Sequence, residues 1–284
     1  MAVISRFLPF VKGSFGSKSA FPDRPLHARA EDGAITVKWF LAQGATFTAT
    51  FPVPIQPNSK PPLGRLDMNT LMERLEHWLE ANLPEVREDL APGCSEAAIT
   101  DFESQIGRAF PENLKALYRL HDGQRDAVNT GPFYGLTFLS LAGAKTHWES
   151  WKSIIDQWSP EEMTEASAFC TSAKPGAVQA LYANKYWIPF AYDYGGNHLG
   201  LDLDPGDRGT LGQVINFGSD EEEKFVVASS LAVFIEWLVD QLESGNFAIR
   251  EEDDGGRSLN TKVPEKLHFL DSIPILFASQ RDDR

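Results

Sequence analysis

The sequence predicts an α+β protein: a curved, mainly antiparallel sheet of about five or six strands flanked by helices, with an N-terminal accessory hairpin and helix. Three observations predict it. Short segments alternate apolar and polar residues between glycine and proline turns, the signature of strands half-buried on a sheet. Other segments repeat their apolar residues at three and four, the signature of helices with one buried stripe. The segment from Trp187 to Pro205 reads as two strands closed by Gly195-Gly196-Asn197, residues that tolerate positive φ.

In chain order, the Gly-, Ser- and Pro-rich residues 13–30 read as coil. Ile35, Val37, Trp39 and Leu41 then alternate with polar or small neighbours, and Phe47, Ala49, Phe51 and Val53 do so after a Gln43-Gly44 turn. This is a hairpin, followed by a proline-rich extended linker. Asp67 N-caps a helix whose stripe is Met68, Leu71, Met72, Leu75, Trp78 and Leu79. A hairpin and one helix bury too little alone, so residues 1–90 are expected to pack on the main domain. Ser95 caps a helix with Ala98, Ile99, Phe102 and Ile106 inside and Gly107 at its end. Pro111 opens the next, with Leu114, Leu117 and Tyr118, closed by Gly123.

Phe133 to Leu141 reads as a strand, and a helix after Ala142 lines up Ala144, Trp148, Trp151, Ile155 and Trp158. Residues 159–177 give no clear pattern, and Val178 to Tyr182 reads as a short strand. In the central hairpin Trp187, Ile188, Phe190 and Tyr192 have buried-strand composition, and Leu199, Leu201 and Leu203 alternate against His198, Gly200, Asp202 and Asp204. Strands at Gln213 to Phe217 and Phe225 to Ala228 flank an acidic turn. Ser229 or Ser230 then caps a helix with Phe234, Ile235, Leu238, Val239 and Leu242 inside, ending at Gly245. An acidic C-terminal tail, residues 247–284, contains a solvated break at Glu251 to Gly256; Leu267, Phe269, Leu270, Ile273, Ile275 and Phe277 give it the means to return to the body.

The run WIPFAYDYGGNHLGLDLDP, followed by GQVI at Gly212 to Ile215 and the helix from Ser229, resembles the signature of the SUKH superfamily. That superfamily includes yeast cell-wall-assembly regulators and many bacterial toxin-immunity proteins. Ile99 to Gly123 is similar to its opening pair of helices, and the likeness covers residues 92–246; the main domain is accordingly set at 91–246. At His121-Asp122-Gly123 the family commonly has Asn before the glycine, and Asp favours turns equally well. On this resemblance Trp187, Pro189, Gly195, Gly196, Asn197 and Asp202 form the structural motif.

Charge is distributed unevenly. The formal net charge is −14; residues 1–60 hold seven Lys/Arg against three Asp/Glu, which leaves 19 against 37, or −18, for the rest. That balance argues against direct nucleic-acid binding and favours a basic partner. Cys94 and Cys170 lack a C-x-x-C spacing, which fits a reducing, cytoplasmic setting without a disulfide framework. The apolar N-terminus has no basic residue before its apolar part and is interrupted by Arg6 and Pro9, so it is not read as a signal peptide. No apolar run approaches the ~20 residues of a membrane helix.

Catalytic signatures are missing. Gly13 to Ser19 fails the spacing of a phosphate loop, and there is no nucleophile elbow or zinc-helix motif. Six scattered histidines show no ligand spacing, and Cys94 reads as a structural or surface thiol. Asp193, Asp202 and Asp204 have the chemistry of a cation or acid–base site but read better as turn caps. No catalytic residue, cofactor or metal is therefore expected.

The resemblance and the charge together imply a non-catalytic immunity protein that neutralises a basic, nuclease-type bacterial toxin in interbacterial competition. The alternative is a regulatory scaffold of the cell-wall-assembly type. Partner contacts are expected from Asp220, Glu221, Glu222 and Glu223, from Trp148 and Trp151, and from Asp193, Tyr194 and His198.

Overall fold

The computed structural model describes residues 27–31, 34–40, 46–52, 67–252, 255–266 and 268–283. The chain divides into two compact units, Met1–Ile55 and Gln56–Arg284. In the first, β1 (His27–Glu31), β2 (Ala34–Phe40) and β3 (Thr46–Pro52) form an antiparallel sheet in that order, with Ile35 opposite Phe51 and Trp39 opposite Phe47. The expected hairpin is β2–β3. Residues 27–30, read as coil, form most of β1 instead; Gln43-Gly44 and the linker lie outside the described residues.

The second unit is built on a five-stranded antiparallel sheet, open at both edges, ordered β10-β8-β7-β6-β4. Its strands are β4 (Thr137–Phe138), β6 (Trp187–Tyr192), β7 (Asn197–Asp202), β8 (Gln213–Gly218) and β10 (Val226–Ala228). Short ribbons join β5 (Thr171–Ser172) to β9 (Glu223–Lys224) in parallel and β11 (Ala248–Glu251) to β12 (Arg257–Asn260) antiparallel. A glutamine covers one position on each edge strand. Gln280 exchanges two hydrogen bonds with the backbone of Val226 in β10, and Gln124 exchanges two with Phe138 in β4. Such blocking keeps an edge from pairing with another chain.

The expected helices form with the expected N-terminal caps, and the one opened by Pro111 ends at Leu120, with His121 extended, before the expected close at Gly123. Asp67 accepts the Thr70 N–H at the start of α1 (Met68–Asn82), and the short α2 (Pro84–Asp89) follows. Ser95 caps α3 (Glu96–Ile106), which ends at Gly107 with φ +74°, and Pro111 leads into α4 (Glu112–Leu120). Ser230 caps α7 (Leu231–Glu243), which lies on β8 and β10 and packs against α1 and α4. Arg74 of α1 reaches Asp240 and Glu243 of α7, so α1, grouped with the hairpin in the sequence reading, lies in the second unit.

Four local readings are corrected. Phe133 to Leu141 supplies only the two-residue β4, because Ser140 caps α5 (Leu141–Gln157) and Gly131 and Gly135 bond to each other in a tight loop. Val178 to Tyr182 is not a strand. Residues 160–167 form α6 (Pro160–Ser167), opened by a reciprocal capping box between Ser159 and Glu162. The C-terminal segment is folded rather than a tail: the β11–β12 hairpin leads to α8 (Phe269–Leu276), which buries Phe269, Leu270 and Ile273 while Ile275 faces solvent. Leu267, Asp253 and Asp254 lie outside the described residues.

Candidate partner-binding surface

The β6–β7 turn is organised by one carboxylate. Asp193 accepts the N–H groups of Gly195 and Asn197 at 2.6 and 2.8 Å and the Asn197 amide at 2.9 Å. Positive φ falls on Tyr194 (+61°) and Gly196 (+99°), not on the whole Gly195-Gly196-Asn197 triplet. A Cβ at Gly196 would lie 2.7 Å from Ser219 Oγ, so glycine is required there twice over. Asn197 then ties the turn to the β8–β9 loop, exchanging hydrogen bonds of 3.0 and 3.1 Å with Asp220. The left-handed backbone at Tyr194 is costly for a non-glycine residue, and these bonds hold it there with its side chain 55% exposed.

The acidic run 220–223 is not uniformly solvated. Asp220 and Glu222 are exposed, but Glu221 turns in to hydrogen-bond Asn216, and burial pushes its carboxyl up to about 7. Glu223 pairs with Arg281. Lys224 beside them is fully buried, donates to the Glu221 carbonyl, and is held below its ordinary pKa by that burial. Of the four carboxylates expected to meet a partner, two are therefore committed inside the protein.

Behind the turn an aromatic array crosses the sheet face beneath α5. Tyr192 stacks on His198 with centroids 5.0 Å apart, and His198 stacks on Phe217 at 5.2 Å. Trp151 meets Phe217 at 6.1 Å and Tyr182 at 5.7 Å, and Tyr182 stacks on Trp158 at 5.6 Å with planes 15° apart. His198 is buried with its Nε2 3.0 Å from Nδ1 of His147, and burial lowers it to about 3. It is thus a core residue rather than a contact. Trp148 is also core, its indole donating to the Lys185 carbonyl at 2.7 Å, and Trp151 is half-buried. What reaches solvent is the ends of the array, Tyr194 and Trp158, together with Phe169 at 75% exposure after α6. Phe169 was not singled out by sequence because it has no periodic partners.

The three aspartates do not converge. Asp193 sits at one end of β7, while Asp202 and Asp204 sit at the other, bonded to Gln213 and to Arg108, Gln179 and Asn184 respectively. Burial pushes buried Asp202 up to about 6. Trp187 and Pro189 are buried in β6. Among the described residues no group of three His, Cys, Asp or Glu is placed to hold a metal ion. Burial, with Asp122 nearby, raises the Cys94 thiol, and burial raises Cys170, the opposite of what an activated nucleophile needs.

Residues 93–237, enclosing both the hairpin and the aromatic array, match the model of the SMI1 / KNR4 family (SUKH-1). The chain belongs to this family. It is 34% identical over 233 residues to "KNR4/SMI1 homolog 2" of Debaryomyces hansenii, covering 70% of this chain and 39% of that protein. It is 30% identical over 208 residues to the "Glucan synthesis regulatory protein" of Neurospora crassa (63% and 39%). It is 31% identical over 206 residues to the "Cell wall biosynthesis/cell cycle regulator smi1" of Schizosaccharomyces pombe (70% and 41%). The chain spans about two-fifths of the length of these curated relatives.

These relatives overturn the toxin-immunity expectation. All three are fungal proteins, and two are named for glucan synthesis and cell wall biosynthesis, so neither a cognate toxin partner nor a role in interbacterial competition stands. Acidic charge did not discriminate between the two readings. The family is one of regulators.

Proposed function

We propose that this chain is a cytoplasmic regulator of cell-wall assembly that acts by binding another protein rather than by catalysis. Relatives at 30 and 31% identity named for glucan synthesis and cell-wall biosynthesis carry the first part of the reading. The surface carries the second: large aromatic side chains exposed at Tyr194, Trp158 and Phe169 are the residue types that dominate binding hot spots. The two unpaired thiols, both raised rather than activated, suit a reducing compartment and no nucleophilic role. Deleting the gene in the source organism should raise sensitivity to a dye that binds wall polysaccharide, and the Trp158→Ala/Tyr194→Ala double variant should fail to restore tolerance although it is expressed and folded. A deletion strain with an unaltered wall and normal dye tolerance would overturn the reading.

A further inference from the structure

The exposed aromatic residues lie along one continuous strip of the chain. Tyr194 is held beside Asp220 through Asn197. Two residues on, the Glu222 carbonyl accepts the Thr171 N–H at 3.0 Å, which brings the Phe169 end of the α6–β5 connection alongside the same loop. Ser167 Oγ accepts the Tyr182 N–H at 3.0 Å, and Tyr182 carries Trp158 stacked on its ring. The strip therefore runs from Tyr194 past Asp220 and Glu222 to Phe169 and Trp158.

Its charge has one sign. Residues 156–170, 193–196 and 219–223 contain nine Asp or Glu and not one Lys, Arg or His. Helix α6 within it buries no residue at all and contributes three of those carboxylates, Glu161, Glu162 and Glu165. Among the described residues Lys152 and Arg281 pair with Asp156 and Glu223, Glu221 turns in to Asn216, Asp193 holds the β6–β7 turn and Glu162 closes its own capping box, which leaves Glu161, Glu165, Asp220 and Glu222 facing solvent. Aromatic faces set among these four exposed carboxylates match one side chain above others. A guanidinium stacks flat on an indole or phenol while its rim donates to carboxylate oxygens, a combination an ammonium meets less well.

We propose that this strip receives an extended, arginine-bearing segment of a partner protein. The proposal rests on the protein-binding reading above and adds the chemistry of what is bound. Trp158 and Tyr194 supply the stacking anchors, and Asp220 and Glu222 steer the segment and fix its direction.

The test uses the full chain labelled with 15N at tryptophan and a 12-residue Gly/Ser peptide bearing four evenly spaced arginines. Matched peptides carry Lys, Glu or Leu at the same positions. The Trp158 indole resonance should shift on titration with the Arg peptide while the core indoles of Trp148 and Trp187 stay in place. Followed by fluorescence anisotropy of dye-labelled peptides, Trp158→Ala and Tyr194→Ala together should weaken binding by about tenfold, and Lys for Arg by about threefold. Asp220→Asn with Glu222→Gln should weaken it by about threefold at low salt and hardly at all at 0.5 M, since exposed charges are screened there. Unmoved core indoles show that each variant is folded. The proposal is overturned if the Trp158 resonance ignores the Arg peptide, if the Glu or Leu peptide shifts it equally, or if it moves on dilution of the protein alone, which would mean that a second copy covers the strip. Failure of the Trp158→Ala/Tyr194→Ala strain to restore wall tolerance, with no Arg-peptide binding, overturns this inference and leaves the regulatory reading intact.

Discussion

On one face of the central sheet Ile188, Phe190, Leu199, Leu201, Val214 and Val227 share one hydrophobic cluster with the apolar residues of α7. On the other face Trp187, His198, Asp202, Gln213, Ile215 and Phe217 are just as buried, but polar and aromatic groups share the space beneath α5 and the 177–181 loop. The difference teaches where the molecule keeps freedom to do something other than fold. The α7 face is non-directional burial, worth roughly 25 cal/mol per Å² of apolar area and indifferent to pH. The α5 face holds groups that must be hydrogen-bonded or neutral to stay inside. Its aromatic array also leads out to the exposed Trp158 and Tyr194.

The largest expected effect breaks the apolar side. Phe190 is fully buried against Phe133 and Phe234, with centroids 5.6 and 5.9 Å away. Phe190→Ala should cost about 3–5 kcal/mol, the range for deleting a core phenyl ring. Denaturant titrations at several pH values between 4 and 8 should give the same loss at each, because the aromatic neighbours Phe133 and Phe234 do not titrate. A loss that changes with pH would show that the two faces are not energetically separate.

The opposite behaviour is expected on the second face. His198 faces His147 of α5, Tyr192, Trp151 and Phe217, and burial, with His147 second, holds it at about 3 against an ordinary 6.5. An unfolded chain takes up this proton below 6.5 and the folded one does not, so stability is lost as the pH falls from 6.5 towards 3. Asp202 and Glu221, raised to about 6 and about 7, act with the other sign: their penalty is absent in acid and grows as the pH rises to those values. Comparing His198→Phe with the native chain cancels those two terms. The variant should be about 1 kcal/mol less stable at pH 8, for the lost imidazole hydrogen bond. Towards pH 3 it should gain on the native chain by on the order of 2–4 kcal/mol. A difference that stays flat from pH 8 to pH 3 would mean that His198 takes up its proton in the folded state.

The two faces were not equally legible. Periodicity at three and four placed α1, α3, α4 and α7 with their caps, and period two placed β6, β7 and β8, because these elements bury one apolar stripe each. Alternation of Leu199 and Leu201 with His198 and Asp202 implies one buried and one solvated face, yet all six residues of β7 are buried. Nothing local in the strand says so: the cover comes from α5 and the 177–181 loop, and only tertiary packing brings it there. The surface strip was half legible. Tyr194, Asp220 and Glu222 stand out by type, but the inward turn of Glu221 and the pairing of Glu223 with Arg281 depend on partners that local sequence does not reveal. The capping box at Ser159 and Glu162 was present to be read and marks α6.

That capping box supplies the smallest and most local effect. Ser230 and Ser159 are both N-cap serines whose hydroxyls accept a backbone N–H, at 3.3 Å from Val233 and 3.2 Å from Glu162. The helices they open differ completely, since α7 buries nine of its residues and α6 buries none. Removing a serine cap costs roughly 1 kcal/mol of the helix it opens. For α7 that cost is charged to global unfolding, because the helix cannot leave without exposing the core. Ser230→Ala should therefore lower the stability of the second unit by about 1 kcal/mol. For α6 the cost falls on a local opening that exposes no apolar core, so Ser159→Ala should leave global stability within about 0.5 kcal/mol while hydrogen exchange in residues 160–167 speeds up roughly fivefold. Equal global losses for the two variants would mean that α6 is cooperative with the core, and the strip it helps to form would then be a rigid part of the fold rather than a separately adjustable surface.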